Sequence, residues 1–364
     1  MEKLIKNIVE MIKIKSISGN WAEIAKVFQW IEQNYAQKGI YINKINFPDA
    51  SPVMVLANCK GYSFDVAAIG HVDVVPAPEK LFKPKVKGNL LYGRGAFDMK
   101  SSVAVCLETL LYTVGKKIKY GVILTSDEET TSNGMKALQK ADKIKAKIVF
   151  DPDSGDNIGK LVEKYKHPVS VELTAKGKNA HSSRPWDGIN AVNAIINAIK
   201  MLEKYFPQYQ SGHKTPKSTW VDTMVVTALN SPVTYNVVPA EATARINFRL
   251  TEKTSLKKLK SILSEVCNKC DCSYKILLSS CGVYMSVKKP EIKQYIKVAE
   301  KALGKKLQIT HSCGATDSRM FADKSAVIMH SVSGANPHSD DECAEISSIL
   351  ALAEIQKAFI DSLL

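Results

Sequence analysis

The sequence predicts an α/β protein in which one large domain is interrupted by a smaller α+β domain, and three features carry that prediction. Strand-like and helix-like runs alternate over residues 1–165, the pattern of a sheet with helices on its faces. At about residue 166 it gives way to short segments of apolar–polar alternation, such as Pro168 to Ala175, which suit antiparallel strands with one wet face. From about residue 287 the α/β character returns, and the remaining stretch is too short for a third core. The expected domains are 1–165 and 285–364, forming one large domain, with 166–284 inserted between them.

The elements follow in order. Leu4, Ile5, Ile8, Val9, Met11 and Ile12 recur at helical spacing and predict a helix over about 2–14. The turn Ser16-Ile17-Ser18-Gly19-Asn20 separates it from a helix over about 21–38. Strands are expected near 41–46, 53–59, 65–70, 120–126 and 146–150, with helices near 101–114 and 133–140. In the inserted segment, 168–175, 224–228, 242–250 and 272–278 read as a four-stranded antiparallel sheet, with two helices near 189–205 and 255–267 on one face. The closing segment reads as helix 290–303, strands near 307–310 and 326–331, and a terminal helix over 345–362.

Composition removes several function classes. With 45% hydrophobic and 24% charged residues over 364 positions, the chain is globular. Its N-terminus lacks the apolar core of a signal peptide and no apolar run is long enough to span a bilayer, so a cytoplasmic protein without a membrane partner is expected. The net charge of +14 raises nucleic acid as a partner. The lysines, however, are spread over amphipathic helices without interleaved aromatics, so no nucleic-acid partner is expected. The eight cysteines are dispersed and read as reduced thiols; Cys267-x-x-Cys270-x-Cys272 lacks a second pair at finger spacing and reads as packing.

The chemistry concentrates at strand exits. Gly70-His71-Val72-Asp73 follows the apolar run Val66 to Ile69, so His71 and Asp73 emerge at a carboxyl end, where open α/β sheets place their sites. Asp98 stands just before a helical run, Asp127-Glu128-Glu129 follows the strand Tyr120 to Thr125, and Asp151-Pro152-Asp153 follows Ile148-Val149-Phe150. His338 sits in the loop Gly334-Ala335-Asn336-Pro337-His338 before the last helix. Two imidazoles with three carboxylates suit zinc, and one shared carboxylate would make the site dinuclear.

In these motifs, together with Tyr92-Gly93-Arg94-Gly95 and Asp98-Met99-Lys100, the chain resembles the co-catalytic dinuclear zinc peptidase and deacylase family. That family includes glutamate carboxypeptidase, tripeptide aminopeptidase, aminoacylase, acetylornithine deacetylase and succinyl-diaminopimelate desuccinylase. The resemblance covers essentially the whole chain and implies a mixed sheet flanked by helices, with the inserted α+β domain as a lid. It implies two zinc ions, with cobalt or manganese as possible substitutes. His71 and Asp153 would bind the first ion, Glu129 and His338 the second, and Asp98 would bridge them. Asp73 would orient His71 and Glu128 would be the general base. Asp151 is the alternative to Asp153, since Asp151-Pro152 resembles the deacylases and Pro152-Asp153-Ser154-Gly155 the peptidases; Asp153 is preferred. From the inserted domain, His181 would stabilise the oxyanion, and Arg249 and Asn236 would hold a substrate carboxylate and its polar neighbours. Thr316 and Arg319 would add substrate contacts.

The implied activity is hydrolysis of an amide bond in a small substrate with a free carboxylate, by a carboxypeptidase or a di- or tripeptidase acting as a homodimer through the lid. The alternative is an N-acyl amino acid deacylase of the desuccinylase or acetylornithine deacetylase type. The segment Ala77 to Pro84 is shorter than in the desuccinylases and lacks their tryptophan, which favours the peptidase reading.

Overall fold

Four buried parallel strands form the centre of the first unit, and their carboxyl ends define one edge. In the computed structural model, which describes residues 2–153, 157–207, 209, 218–232 and 235–364, one unit comprises Met1–Lys164, Met285–Ser312 and Thr316–Leu364, and the other Tyr165–Tyr284 with Cys313–Ala315.

The first unit opens with helices α1 (Glu2–Lys13) and α2 (Trp21–Tyr35). Strands β1 (Tyr41–Phe47), β2 (Ala50–Ala57), β3 (Ser63–His71), β4 (Tyr120–Thr125), β5 (Lys145–Asp151) and β6 (Lys160–Tyr165) follow, with helices α3 (Lys100–Thr113) and α4 (Asn133–Lys140) between them. In the second unit lie β7 (His167–Lys176), β8 (Thr223–Asn230), β9 (Glu241–Leu250) and β10 (Cys272–Ser279), with α5 (Ala191–Leu202) and α6 (Leu256–Lys269). The first unit resumes with α7 (Pro290–Leu303), β11 (Gln308–Ser312), β12 (Ala326–Met329) and α8 (Ile346–Ser362).

The large sheet is mixed, in the order β1-β2-β4-β3-β5-β12-β6 with β11 paired to β6. β3 runs parallel to β4 and β5, and β12 parallel to β5. Their register aligns His71 with Thr125 and Met329 with Asp151, so the residues that follow leave the sheet at one edge. β4 is buried at every position because helices cover both faces. α3 packs on α1, α8, β3 and β4, which explains why its residues are apolar or small nearly all round.

A small sheet in the same unit joins Gly334–Ala335, Cys343–Glu345, Leu90–Tyr92 and Lys85–Lys87. Strands of two or three residues carry too little alternation to be read from sequence. This sheet carries the His338 loop to the turn before α3. Gly334 permits the approach, since a Cβ there would lie 2.3 Å from the Phe97 ring. Gly95, at φ +83°, supplies the left-handed step of the turn itself.

The second unit is an antiparallel sheet in the order β8-β9-β7-β10. In β9 the inward residues Ala244, Ile246, Phe248 and Leu250 are buried, whereas Arg245 is exposed. They pack with Val169, Val171 and Leu173 of β7 against Ile195 and Leu202 of α5 and Leu259 and Leu263 of α6. Each such buried aliphatic contributes about 1.5–3 kcal/mol. Asn190 caps α5 by accepting the Val192 N–H, and Ser255 caps α6 by accepting that of Lys258.

Candidate metal centre

His71 ends β3, and its ring is fixed from two sides. Nδ1 lies 2.9 Å from the main-chain oxygen of Asp73 and 3.5 Å from its carboxylate Oδ1. A carbonyl at this distance accepts a hydrogen bond from Nδ1–H and leaves Nε2 as the ligating nitrogen. The Asp73 carboxylate serves more than the histidine. It accepts the Ser18 hydroxyl at 2.7 Å and the main-chain N–H groups of Glu128 and Glu129 at 3.3 Å each, so it positions the acidic turn after β4 as well.

Asp98 presents its two oxygens to different histidines. Oδ1 is 3.1 Å from His71 Nε2 and Oδ2 is 3.2 Å from His338 Nε2. His338 also meets Glu129 at 3.1 Å, and His71 Nε2 is 3.9 Å from Asp153 Oδ2. Two groups of donors result: His71, Asp98 and Glu129, and His71, Glu128 and Asp153, each with ligand atoms within 4.8 Å of one another. His338 adopts φ +65° and Asn336 φ +57°, unusual for residues with a Cβ and found here where the loop delivers the imidazole.

The three adjacent acids separate in space. Asp127 is buried and accepts the Thr131 hydroxyl and the Asn133 N–H at 2.6 Å each, capping the start of α4. Glu129 faces His338, and Glu128 lies by His71 and Asp153. Burial pushes the Glu128 carboxyl up to about 8; His71 and Arg319 oppose this, while Asp317 and Glu129 add to it. Burial also raises Asp153, and the Asp98 charge raises it further. Burial works in the same direction on Asp98, but hydrogen bonds from His338 and His71 overcome it and hold that carboxyl below its usual range. The Asp98 hydrogen bond, reinforced by Glu129, lifts His338 to about 9. Carboxylates crowded around two imidazoles are the donor chemistry of divalent cations, and the residues present fit such ions.

Asp151, the alternative to Asp153, lines the same small cavity as His71, Glu128 and Asp153 and is engaged by neighbouring loops. It is fully buried and accepts the Thr316 hydroxyl at 2.5 Å and the Asp153 N–H at 3.2 Å. Ser154 and Gly155 of that turn lie outside the described residues. Thr316 is itself buried, with its hydroxyl given to Asp151. Arg319 donates to the Thr316 carbonyl at 2.7 Å and to the Ser132 hydroxyl at 3.0 Å. Both residues brace the loop beside the acidic cluster in this structure.

In the second unit, His181 is exposed on a short ribbon that pairs Ala180–His181 with Val237–Val238. Asn236 adjoins it, its carbonyl accepting the Ser182 N–H at 2.9 Å. The Ser183 N–H donates to His181 Nδ1 at 3.2 Å, which leaves Nε2 as the protonated nitrogen of a neutral ring. Arg249 stands apart from this ribbon, in β9 opposite Thr223 and Pro168, with Nε donating to Asn247 at 3.3 Å.

One participant escaped the sequence reading. Glu342 is fully buried, accepts the main-chain N–H groups of Phe97 and Asp98 at 3.0 and 3.1 Å, and pairs with the buried Arg94. Its only local signal is an acid set ahead of the apolar Cys343-Ala344 pair.

Residues 67–362 match the model of peptidase family M20/M25/M40. The chain belongs to this family. A succinyl-diaminopimelate desuccinylase of Wolbachia pipientis is 27% identical over 312 residues, covering 80% of this chain and 77% of that one. Among solved structures, aminopeptidase PepT from Bacillus cereus shares the fold at a TM-score of 0.78 and 19% identity, covering 100% of this chain and 98% of that one. An M20 family metallo-carboxypeptidase from Sulfolobus solfataricus does so at 0.77 and 19%, covering 99% of each. As an M20 family member carrying this donor cluster, the chain is a metal-dependent peptidase or amidohydrolase. No helix among the described residues is long and apolar enough to cross a membrane.

Proposed function

We propose that the chain is a dizinc amide hydrolase acting on small peptides or N-acyl amino acids with a free carboxylate. The observation that carries this reading is the split of Asp98, one oxygen toward His71 and the other toward His338, with a separate carboxylate beside each histidine. His71, Asp98 and Asp153 would hold one ion, and Asp98, Glu129 and His338 the other. Bound there, the ions supply a Lewis acid for the carbonyl and acidify the attacking water. Glu128 takes the proton of that water and passes it to the leaving nitrogen; its raised proton affinity suits both halves of the transfer. Asp73 keeps His71 and the Glu128-Glu129 turn in register. His181, with Nε2 carrying the proton, donates to the developing oxyanion, and Arg249 and Asn236 bind the substrate carboxylate and its neighbours. Thr316 and Arg319 contribute by bracing the Asp151 loop.

Aspartate rather than glutamate as the fifth ligand favours a carboxypeptidase or a di- or tripeptidase. A second reading, cleavage of N-succinyl amides, rests on the desuccinylase relatives. A homodimer through the inserted domain is supported by edge strand β8, where Val225 and Leu229 are 53% and 51% exposed. A cytoplasmic location agrees with the eight free thiols. The test is a panel of dipeptides, tripeptides, N-acetyl and N-succinyl amino acids, assayed with zinc, cobalt or manganese. Cleavage of peptides supports the peptidase reading, and cleavage of N-succinyl compounds alone replaces it with the second. Turnover that survives Glu128→Ala would overturn both.

A further inference from the structure

The connection between α1 and α2 is docked beside the exit of β3 from two directions. On one side, residues 16–18 run parallel to 72–74. The Ser16 hydroxyl donates to the Val72 carbonyl at 2.6 Å, the Ser18 N–H to the Val74 carbonyl at 3.0 Å, and the Val74 N–H returns a bond to the Ser16 carbonyl at 2.9 Å. On the other side Lys100, the first residue of α3, sends its ammonium group to the Met11 and Ile14 carbonyls at the end of α1, 2.9 Å each. A helix leaves its last carbonyls without partners inside the helix, and a cation suits them. Lys100 is fully buried, and glycine at position 95 leaves room for its stem, since a Cβ there would lie 3.1 Å from it. Asp98 stands two positions before Lys100, so the segment that supplies the central carboxylate also fixes where α1 ends.

What this docking delivers is the Ser18 hydroxyl, which donates to Asp73 Oδ2 at 2.7 Å. The same carboxylate takes the Glu128 N–H on Oδ1 and the Glu129 N–H on Oδ2, at 3.3 Å each. Rotation of a carboxylate about its bond to Cβ is soft, so two long bonds from one turn do not by themselves fix its plane. A third, shorter bond from a different segment does.

We infer that Ser18 is a positioning residue: its hydroxyl locks the plane of the Asp73 carboxylate, and through that carboxylate it sets the register of the Glu128-Glu129 turn. The hydroxyl touches neither glutamate side chain and acts only through Asp73. The α1–α2 connection thereby becomes part of the apparatus that aims the acidic turn, although it carries no group of the metal cluster itself. The consequence for turnover rests on the proposed role of Glu128 as the base; the consequence for the turn's main chain does not.

The test is hydrogen exchange, read by mass spectrometry on the full chain supplied with zinc, in the peptide covering residues 126–131. In Ser18→Ala the Glu128 and Glu129 amides are expected to exchange about 10- to 100-fold faster, the worth of one hydrogen bond to a charged group. Ser18→Thr returns a hydroxyl and is expected to restore the slow rate, while β4 stays protected in all three chains. In an Asp73→Ala background, Ser18→Ala is expected to add no further acceleration, because the two residues act in series. With a compound that the substrate panel shows to be cleaved, Ser18→Ala should lower kcat about tenfold at unchanged KM, and Ser18→Thr should recover it. Unchanged exchange in Ser18→Ala, acceleration spread evenly over the first unit, or additive effects with Asp73→Ala would overturn the inference. So would an unchanged kcat in Ser18→Ala where Glu128→Ala abolishes turnover. Failure of the Glu128 reading shows differently: turnover then survives Glu128→Ala while the exchange response to Ser18→Ala remains, which leaves Ser18 as the anchor of the turn.

Discussion

Glu342 accepts the main-chain N–H of Asp98 at 3.1 Å across 244 positions of sequence, so the central carboxylate of the cluster is held by another, fully buried one. The same side chain neutralises Arg94, which is 2% exposed. Glu342→Ala leaves that guanidinium buried without its partner, and the expected loss is about 3–5 kcal/mol of stability. Glu342→Gln keeps an oxygen for the two amides and is expected to lose less. Chemical denaturation of both variants measures the difference, and equal losses would remove the role assigned to the amide contacts.

Asp98 and His338 should differ in how much metal they forfeit. With Asp98 shared between the two proposed ions, Asp98→Ala is expected to lower the bound metal from about two equivalents toward none. His338→Ala removes a ligand from one ion only and is expected to leave about one equivalent. Elemental analysis after gel filtration reads both. Equal stoichiometry in the two variants would count against a bridging role.

Glu128 is proposed to move protons without being needed to hold the ions. Glu128→Gln should therefore keep its metal content while kcat falls by about 10²–10⁴-fold, the usual contribution of a general base. Loss of metal in parallel with activity would instead make Glu128 a ligand, a possibility its place beside His71 and Asp153 makes worth measuring.

His330 gives the first unit a pH dependence that uses none of the proposed catalytic groups, although its main-chain N–H donates to the Asp151 carbonyl at 3.2 Å. Burial lowers its pKa to about 4, while Nε2 lies 2.8 Å from the Ile158 carbonyl and Nδ1 2.8 Å from the Tyr295 hydroxyl, partners suited to the neutral ring. Below the unfolded value of about 6.5, the unfolded chain takes up a proton that the folded chain refuses. Stability from this group is complete above about pH 6.5 and falls to a loss of about 3 kcal/mol by pH 4. The slope of unfolding free energy between those limits should flatten in His330→Gln. An unchanged slope would assign the acid sensitivity to other groups.

Much of the architecture is legible in the chain because it is local. Apolar runs such as Val66 to Ile69 and Tyr120 to Thr125 announce buried strands, and the alternation of Pro168 to Ala175 announces a one-faced sheet, since a strand's side-chain period needs no distant partner. His71, Asp98, Glu128, Glu129, Asp153 and His338 stood out because they occupy the exits of such runs or loops beside them, and the structure brings them into one cluster. What sequence left undivided were neighbours of the same chemistry. Asp127, Glu128 and Glu129 are alike as residues, and only the approach of α4, His71 and His338 makes one a helix cap and aims the others into the cluster. Asp151 and Asp153 differ because Thr316, 165 positions away, reaches the first.

By itself, then, the sequence determined the helices, most of the longer strands and the set of acids and imidazoles, all consequences of short-range periodicity; it did not announce β6 or the strands of the small sheet. The tertiary structure decided which oxygen faces which nitrogen, and it drew in Glu342, whose importance depends on a buried arginine and two amides from the far side of the chain. Carboxylate geometry is set by donors that distant segments deliver, and no local pattern records their arrival.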